Sequence, residues 1–201
     1  MPARVTRPLY VERPSAVPEA ALESLRADIL ASPHLGASRL SDRFARTLGF
    51  SVVFTRAGLP RMLDTFPSFA PFLHTALTET ANAFYLNPLV LTAGARVGPH
   101  IDTSLSSRCG VRVTPERVSV LYVQVPRDLR GGQLVLRTRR HRVGQVEPDA
   151  GMLVDFDGQL VHSVRSVRSA SARISVVCEQ YALDDALLER IPTFTIDSGL
   201  A

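Results

Sequence analysis

The 201-residue chain has no lysine and no tryptophan, and its whole basic complement is arginine. Without a side-chain amine, Schiff-base chemistry and pyridoxal-phosphate attachment are excluded. Cysteine is scarce: Cys109 and Cys178 allow one bridge at most, which is no disulfide framework, so a reduced, cytoplasmic setting is expected. No apolar run approaches the ~18 residues of a transmembrane helix. The opening stretch MPARVTRPLYVERPSAVPEA has arginines and prolines but no apolar segment of the signal-peptide kind. No membrane association is therefore expected. A net charge of +4 suits an anionic ligand without calling for nucleic acid. Repeats and low-complexity tracts are lacking too. What remains is an ordinary globular composition, 45% hydrophobic, suited to one domain spanning residues 1–201.

Two textures divide that span. Residues 18–83 read mainly as helix. PEAALESLRADILAS sets Leu22, Leu25, Ile29 and Leu30 at helical spacing, with Pro18 in a first-turn position. FPSFAPFLHTALTETANAF predicts a second helix, with Phe69, Phe72, Leu73, Ala76 and Leu77 on one stripe. Between them GFSVVFTRAG (49–58) reads as a strand bounded by glycines. From residue 84 the chain changes to short β-branched runs separated by Gly-, Pro- or Asp-containing turns, the pattern of a β-sandwich or barrel. Residues 84–185 are thus expected to form a β core, and residues 1–83 a helical support burying the outer face of one sheet.

The chemistry concentrates in His100-Ile101-Asp102, with a distant His162 and, eleven residues after it, Arg173. Side chains at i and i+2 of an extended segment share a face, so His100 and Asp102 can point at one ion. A histidine on a neighbouring strand completes a triangle. Two histidines and one carboxylate on one face of an octahedron leave three positions open, the ligand set of non-haem Fe(II) oxygenases. Alone, an HxD pair says little; with the other residues in this order it predicts an iron site at His100, Asp102 and His162. His34 and His74 read as surface or boundary residues, and His141 as part of a solvated basic hairpin or a contact for an acidic substrate region.

The stretches GPHID (98–102), SVLYVQVPRDLRGGQLVL (119–136), EPDAGMLVDFDGQLVHSV (147–164) and SARISVVCEQY (171–181) resemble the Fe(II)- and 2-oxoglutarate-dependent dioxygenases, in their prolyl-4-hydroxylase-like branch. The resemblance covers roughly residues 84–185. It implies a double-stranded β-helix, a distorted jelly roll that is cupin-like, with helices packed on one sheet. It implies Fe(II) at the triad, with 2-oxoglutarate and O2 as cosubstrates. Arg173 matches the basic residue for the distal carboxylate of 2-oxoglutarate and Ser175 its partner, while Tyr122 matches a phenol offered to the same group. A guanidinium grips a carboxylate bidentately, which makes the Arg173 match chemically apt. Gly131 and Gly132 match glycines that turn the chain into its next strand. Because Asp102 is a carboxylate, hydroxylation is implied rather than the halogenation of relatives with a small residue there.

Two departures stand out. The family's tyrosine upstream of HxD has Leu91 or Thr92 in its place, leaving Tyr122 or Tyr85 for that role. Nucleic-acid demethylases of the superfamily carry a second arginine where this chain has Glu179, so no nucleic-acid partner is expected. The expected substrate is a small molecule, amino acid or natural-product intermediate, with a peptidyl prolyl residue as the alternative. Arg96, Arg108 and Arg112 flank the triad as candidate contacts for a substrate carboxylate, or as plain surface charges. The loop 103–115 reads as a lid or as a simple connector. Two other classes stay open: a cupin-like metal protein that makes no use of 2-oxoglutarate, and a non-catalytic binding module.

Overall fold

The computed structural model describes residues 8–37 and 44–198. In chain order the elements are β1 (Tyr10–Arg13), α1 (Glu19–Ala31), β2 (Gly36–Ala37), β3 (Phe44–Thr55), α2 (Leu59–Thr65), α3 (Ala70–Ala76), β4 (Ala83–His100), α4 (Ser106–Cys109), β5 (Arg117–Gln124), β6 (Arg130–Gly131), β7 (Leu134–Arg137), β8 (Arg142–Val146), β9 (Leu153–Asp157), β10 (Val161–Val164), β11 (Val167–Arg168), β12 (Arg173–Tyr181), α5 (Asp185–Leu188) and β13 (Phe194–Ser198). The long β4 organises them. Its first half lies between β12 and β3, and on the β12 side the sheet continues through β5 and β9 to β1. Its last residues pair instead with β10, which leads to β7 and β8.

β4 can serve both sheets because it bends. Gly94 adopts φ 84° and, across the β3–β4 ladder, Arg46 adopts φ 55° beside a register shift between Ala45 and Thr47. A bulge of this kind turns a strand pair out of one sheet into the facing one. The result is a nearly closed antiparallel jelly roll of the double-stranded β-helix type. His100 is thereby delivered to the strand carrying His162.

Alternation along the strands decides what faces the interior. On β12, Ile174, Val176 and Cys178 join a core with Leu22, Leu25 and Ile29 of α1 and Phe72 and Leu73 of α3. Arg173, Ser175, Val177 and Glu179 turn the other way, into the space between the sheets. The helices therefore bury the outer face of the larger sheet, as expected from the sequence.

Several local expectations are corrected. Leu30 points to solvent, one step around α1 from the buried Ile29. The second helix stops at Ala76 because the Thr78 amide is taken by the Gln180 side chain at 2.8 Å. Leu77 is extended, and from Ala83 the chain is already strand. The first 83 residues also supply β1, β2 and β3, so they are less helical than their composition suggested. Gly49 does not begin β3 but lies inside it; a Cβ there would meet the Pro88 carbonyl at 2.6 Å, so the glycine marks close approach of two strands. The segment LPRMLDT, with Pro60 in its first turn, forms α2, an element the sequence reading did not assign. At the Gly-Gly turn, Gly131 has φ 77° and a Cβ would stand 2.0 Å from the Ser166 carbonyl oxygen, so only glycine fits.

No described helix is long and apolar enough to cross a membrane. Both cysteines are free and buried.

Candidate metal centre

His100 ends β4 and stands directly opposite His162 of β10 in the antiparallel register. Asp102 follows two residues beyond the strand. Its Oδ1 lies 3.2 Å from His100 Nε2 and its Oδ2 3.4 Å from His162 Nε2. The three donor atoms fall within 4.8 Å of one another. The Nδ1 atoms make the complementary contacts, His100 to the Gly98 carbonyl at 2.9 Å and His162 to the Leu160 carbonyl at 3.3 Å. An Nδ1–H donated to a carbonyl leaves the Nε2 lone pair toward Asp102, the tautomer a metal ligand needs. Burial works against the charge of Asp102, but the neighbouring His162 and His100 outweigh it and hold the carboxyl below its usual range. Asp102 is therefore a carboxylate, buried and with Oδ2 lacking a hydrogen-bond partner. This donor set of two imidazoles and one carboxylate fits a divalent first-row metal.

The triad opens into a cavity of about 380 Å3 between the two sheets. Val118, Val120, Leu134 and Phe156 give it an apolar wall. Arg173 lines the same cavity at 2% exposure. Among the described residues its guanidinium has no carboxylate within ion-pair distance, and its Nε is buried without a partner. Burial works against that charge, with only the Tyr122 side chain offsetting it. A buried cation left in this state is costly, and an anionic ligand removes the cost. Ser175 lines the cavity beside Arg173, as strand alternation required.

Tyr122 is fully buried on β5, with the Arg173 guanidinium 4.8 Å from its ring centroid and its hydroxyl unpartnered. Its ring packs under the arginine and is not among the residues lining the cavity. Of the alternatives for the family's upstream tyrosine, Tyr85 and Leu91 line the cavity, while Thr92 faces out. Tyr85 spends its hydroxyl on Ser51 Oγ at 2.5 Å.

Other sequence candidates fall away from the centre. Arg96 and Arg112 are exposed, and Arg108 pairs with Asp197 at 2.7 Å; none lines the cavity. His74 and His141 are exposed and His34 is half-buried near Phe50. The loop after Asp102 is no loose connector: it holds α4, buries Leu105 and Cys109, and is tied by Ser106 to Val113 and by Arg190 to the Cys109 carbonyl at 2.6 Å.

One residue of the cavity was undervalued. Glu179 entered the sequence reading only as the absence of an arginine, yet it lies 4% exposed on the inward face of β12. Its carboxylate accepts hydrogen bonds from Ser104 Oγ at 2.6 Å and from the Tyr181 hydroxyl. Burial, then the charge of Asp102, pushes its carboxyl well above the usual range. The signal was available: counting by twos from Arg173 along one strand reaches position 179.

No protein-family profile matches the sequence, and no curated protein matches it. Solved structures do match its fold. A prolyl-4-hydroxylase from Pseudomonas putida superposes with a TM-score of 0.61 at 17% identity, over 88% of this chain and 94% of that one. An oxidoreductase of the 2OG-Fe(II) oxygenase family from Burkholderia pseudomallei gives 0.58 at 16% identity, over 87% and 85%. A viral collagen prolyl hydroxylase from Paramecium bursaria Chlorella virus-1, solved with 2OG, gives 0.56 at 12% identity, over 88% and 97%. The chain has the jelly-roll fold of these oxygenases over nearly its whole length.

Proposed function

We propose that this chain is a non-haem Fe(II)- and 2-oxoglutarate-dependent dioxygenase that hydroxylates an unactivated C–H bond of a small molecule. The observation that carries the reading is the pairing, in one cavity, of a two-histidine, one-carboxylate cluster with a buried arginine that has no anion of its own. His100, Asp102 and His162 would hold the iron, and Arg173 would receive the distal carboxylate of 2-oxoglutarate. The chemistry such an ion supplies is oxidative: one O2 is divided between succinate and product, 2-oxoglutarate losing CO2 and the substrate gaining one hydroxyl.

The protein's own part is binding, orientation and exclusion of water. The Gly98 and Leu160 carbonyls fix both imidazole tautomers before any ligand arrives. Arg173 sets the direction of the cosubstrate through a charged, forked contact, with Ser175 adding a hydroxyl to the same carboxylate. The aliphatic wall gives water few partners around the reacting centre. At about 380 Å3 the cavity lies near the low end of the ~300–1,000 Å3 typical of ligand pockets, which favours a cosubstrate plus a small substrate. Two free, buried cysteines accord with the reducing cytoplasmic setting that ferrous iron favours.

The test is succinate release from 2-oxoglutarate with Fe(II) and O2, run beside a mass screen for a gain of one oxygen across amino acids, pathway intermediates and proline-containing peptides. Iron-dependent succinate is expected, with the mass gain confined to small molecules. A gain on prolyl peptides alone would make the protein a peptidyl hydroxylase, and no succinate under any condition would refute the oxygenase reading. A narrower test concerns the phenol. Tyr122 does not line the cavity, so Tyr122→Phe is expected to act through the Arg173 guanidinium above its ring and to weaken 2-oxoglutarate binding about threefold. An unchanged dissociation constant would reduce Tyr122 to a packing platform for Arg173.

A further inference from the structure

A buried arginine and a buried glutamate, neither in an ion pair among the described residues, face the same cavity from one strand. Arg173 and Glu179 both point inward from β12 and are separated by six residues, roughly 20 Å of extended chain, too far to neutralise one another. Among the described residues Glu179 forms no ion pair. Its two hydrogen-bond partners, Ser104 and Tyr181, are neutral hydroxyls.

One further polar side chain lies on the facing strand, one inward pair away. Across the β12–β4 ladder Glu179 faces Tyr85, and the next inward pair is Val177 with Asn87. Asn87 lines the cavity at 4% exposure, giving Nδ2 to Ser51 Oγ at 3.4 Å while its Oδ1 is buried without a partner. A buried carboxyl with no ion pair, whose ionised form burial opposes, favours a ligand that brings N–H donors and positive charge. Ser104, which holds Glu179, lies two residues from Asp102, so this acidic end adjoins the metal ligands.

We infer that Glu179 and Asn87 form the substrate subsite, and that the substrate is a small molecule carrying an ammonium or guanidinium group bound there while its carbon skeleton reaches the metal centre. This rests on the oxygenase reading and sharpens it. The cavity then sorts its two organic ligands by charge, the dicarboxylate cosubstrate to Arg173 and the cationic substrate to Glu179. A cation at Glu179 also stabilises the ionised carboxylate that burial opposes.

The experiment is anaerobic titration of the protein, metal-free and loaded with Mn(II) and 2-oxoglutarate, with matched probes: n-pentylamine against n-pentanol, cadaverine against 1,5-pentanediol, agmatine alone, and a terminally blocked hexapeptide with one central lysine against its norleucine form. At least one free cation is expected to bind about tenfold or more tightly than its neutral partner, and Glu179→Gln, which keeps an acceptor for Ser104, is expected to erase that preference. Glu179→Asp keeps the charge and is expected to retain the preference, so lost charge is separated from lost packing. The wild-type comparison within each pair stands even if a variant does not fold. Equal binding of cation and neutral partner, no binding by any cation, or a preference that survives in Glu179→Gln would overturn the inference. Preference for the lysine peptide over every free cation would overturn its small-molecule part. If Mn(II) and 2-oxoglutarate do not bind while the cation preference persists without metal, the oxygenase reading fails and the cation subsite stands.

Discussion

His100→Ala is expected to abolish iron-dependent succinate formation and to lower metal affinity by at least about 100-fold. The scale follows from second-shell changes alone, which cost about 10–100-fold in metal sites, whereas this change deletes a donor atom. His100 ends β4, and besides the Gly98 carbonyl its ring meets Asp102, Phe44 and His162, so its loss should cost folding about 1–3 kcal/mol. Circular dichroism and thermal denaturation of the apo variant, beside metal content by mass spectrometry, separate a missing ligand from a missing fold. Asp102 would keep His162 as its one remaining neighbour in the cluster. Retained turnover in this variant would remove His100 from the metal site.

Arg173→Met is expected to act in opposite directions on stability and on binding. In the free protein it replaces a buried, unpaired guanidinium with an apolar chain, and changes of that kind stabilise by about 1–2 kcal/mol. For a protein of this size that raises the melting temperature by ~3–6 °C. In the complex the same change removes the only buried cation lining the cavity among the described residues, costing about 3 kcal/mol of 2-oxoglutarate binding, more than 100-fold in affinity. Melting curves of the two proteins should therefore cross: the variant is the more stable without 2-oxoglutarate, and the wild type gains on it as ligand is added. A cupin-like protein with no use for 2-oxoglutarate would give parallel curves. Arg173→Lys is no milder control, since an ammonium lacks the planar fork.

The parts of this account that could be read in the sequence share one property: they are short-range or follow a fixed period. HxD is a local motif whose geometry comes from strand alternation, and Arg173 with Ser175 obeys the same rule. The β core was legible from β-branched runs between turn residues. What escaped depends on partners distant in the chain. β1 and β13 are edge strands formed by pairing with β9 and β3, partners far away in the chain. The end of α3 is set by Gln180, about a hundred positions away. Gly49 looked like a boundary because glycine usually is one, and only the carbonyl of Pro88 across the ladder explains it as a contact. Glu179 lay in plain view at the right parity, but its meaning required Ser104, 75 positions away, to be brought beside it by the fold.

The central claim is that one divalent ion and one keto acid share this cavity, and anaerobic calorimetry tests it most directly. With Fe(II) bound at one per chain, 2-oxoglutarate is expected to bind one to one, and to lose most of that affinity when the metal is withheld or Arg173 is replaced by Met. Stoichiometric metal with no heat on adding 2-oxoglutarate, or keto-acid binding that ignores both the ion and Arg173, would contradict the account.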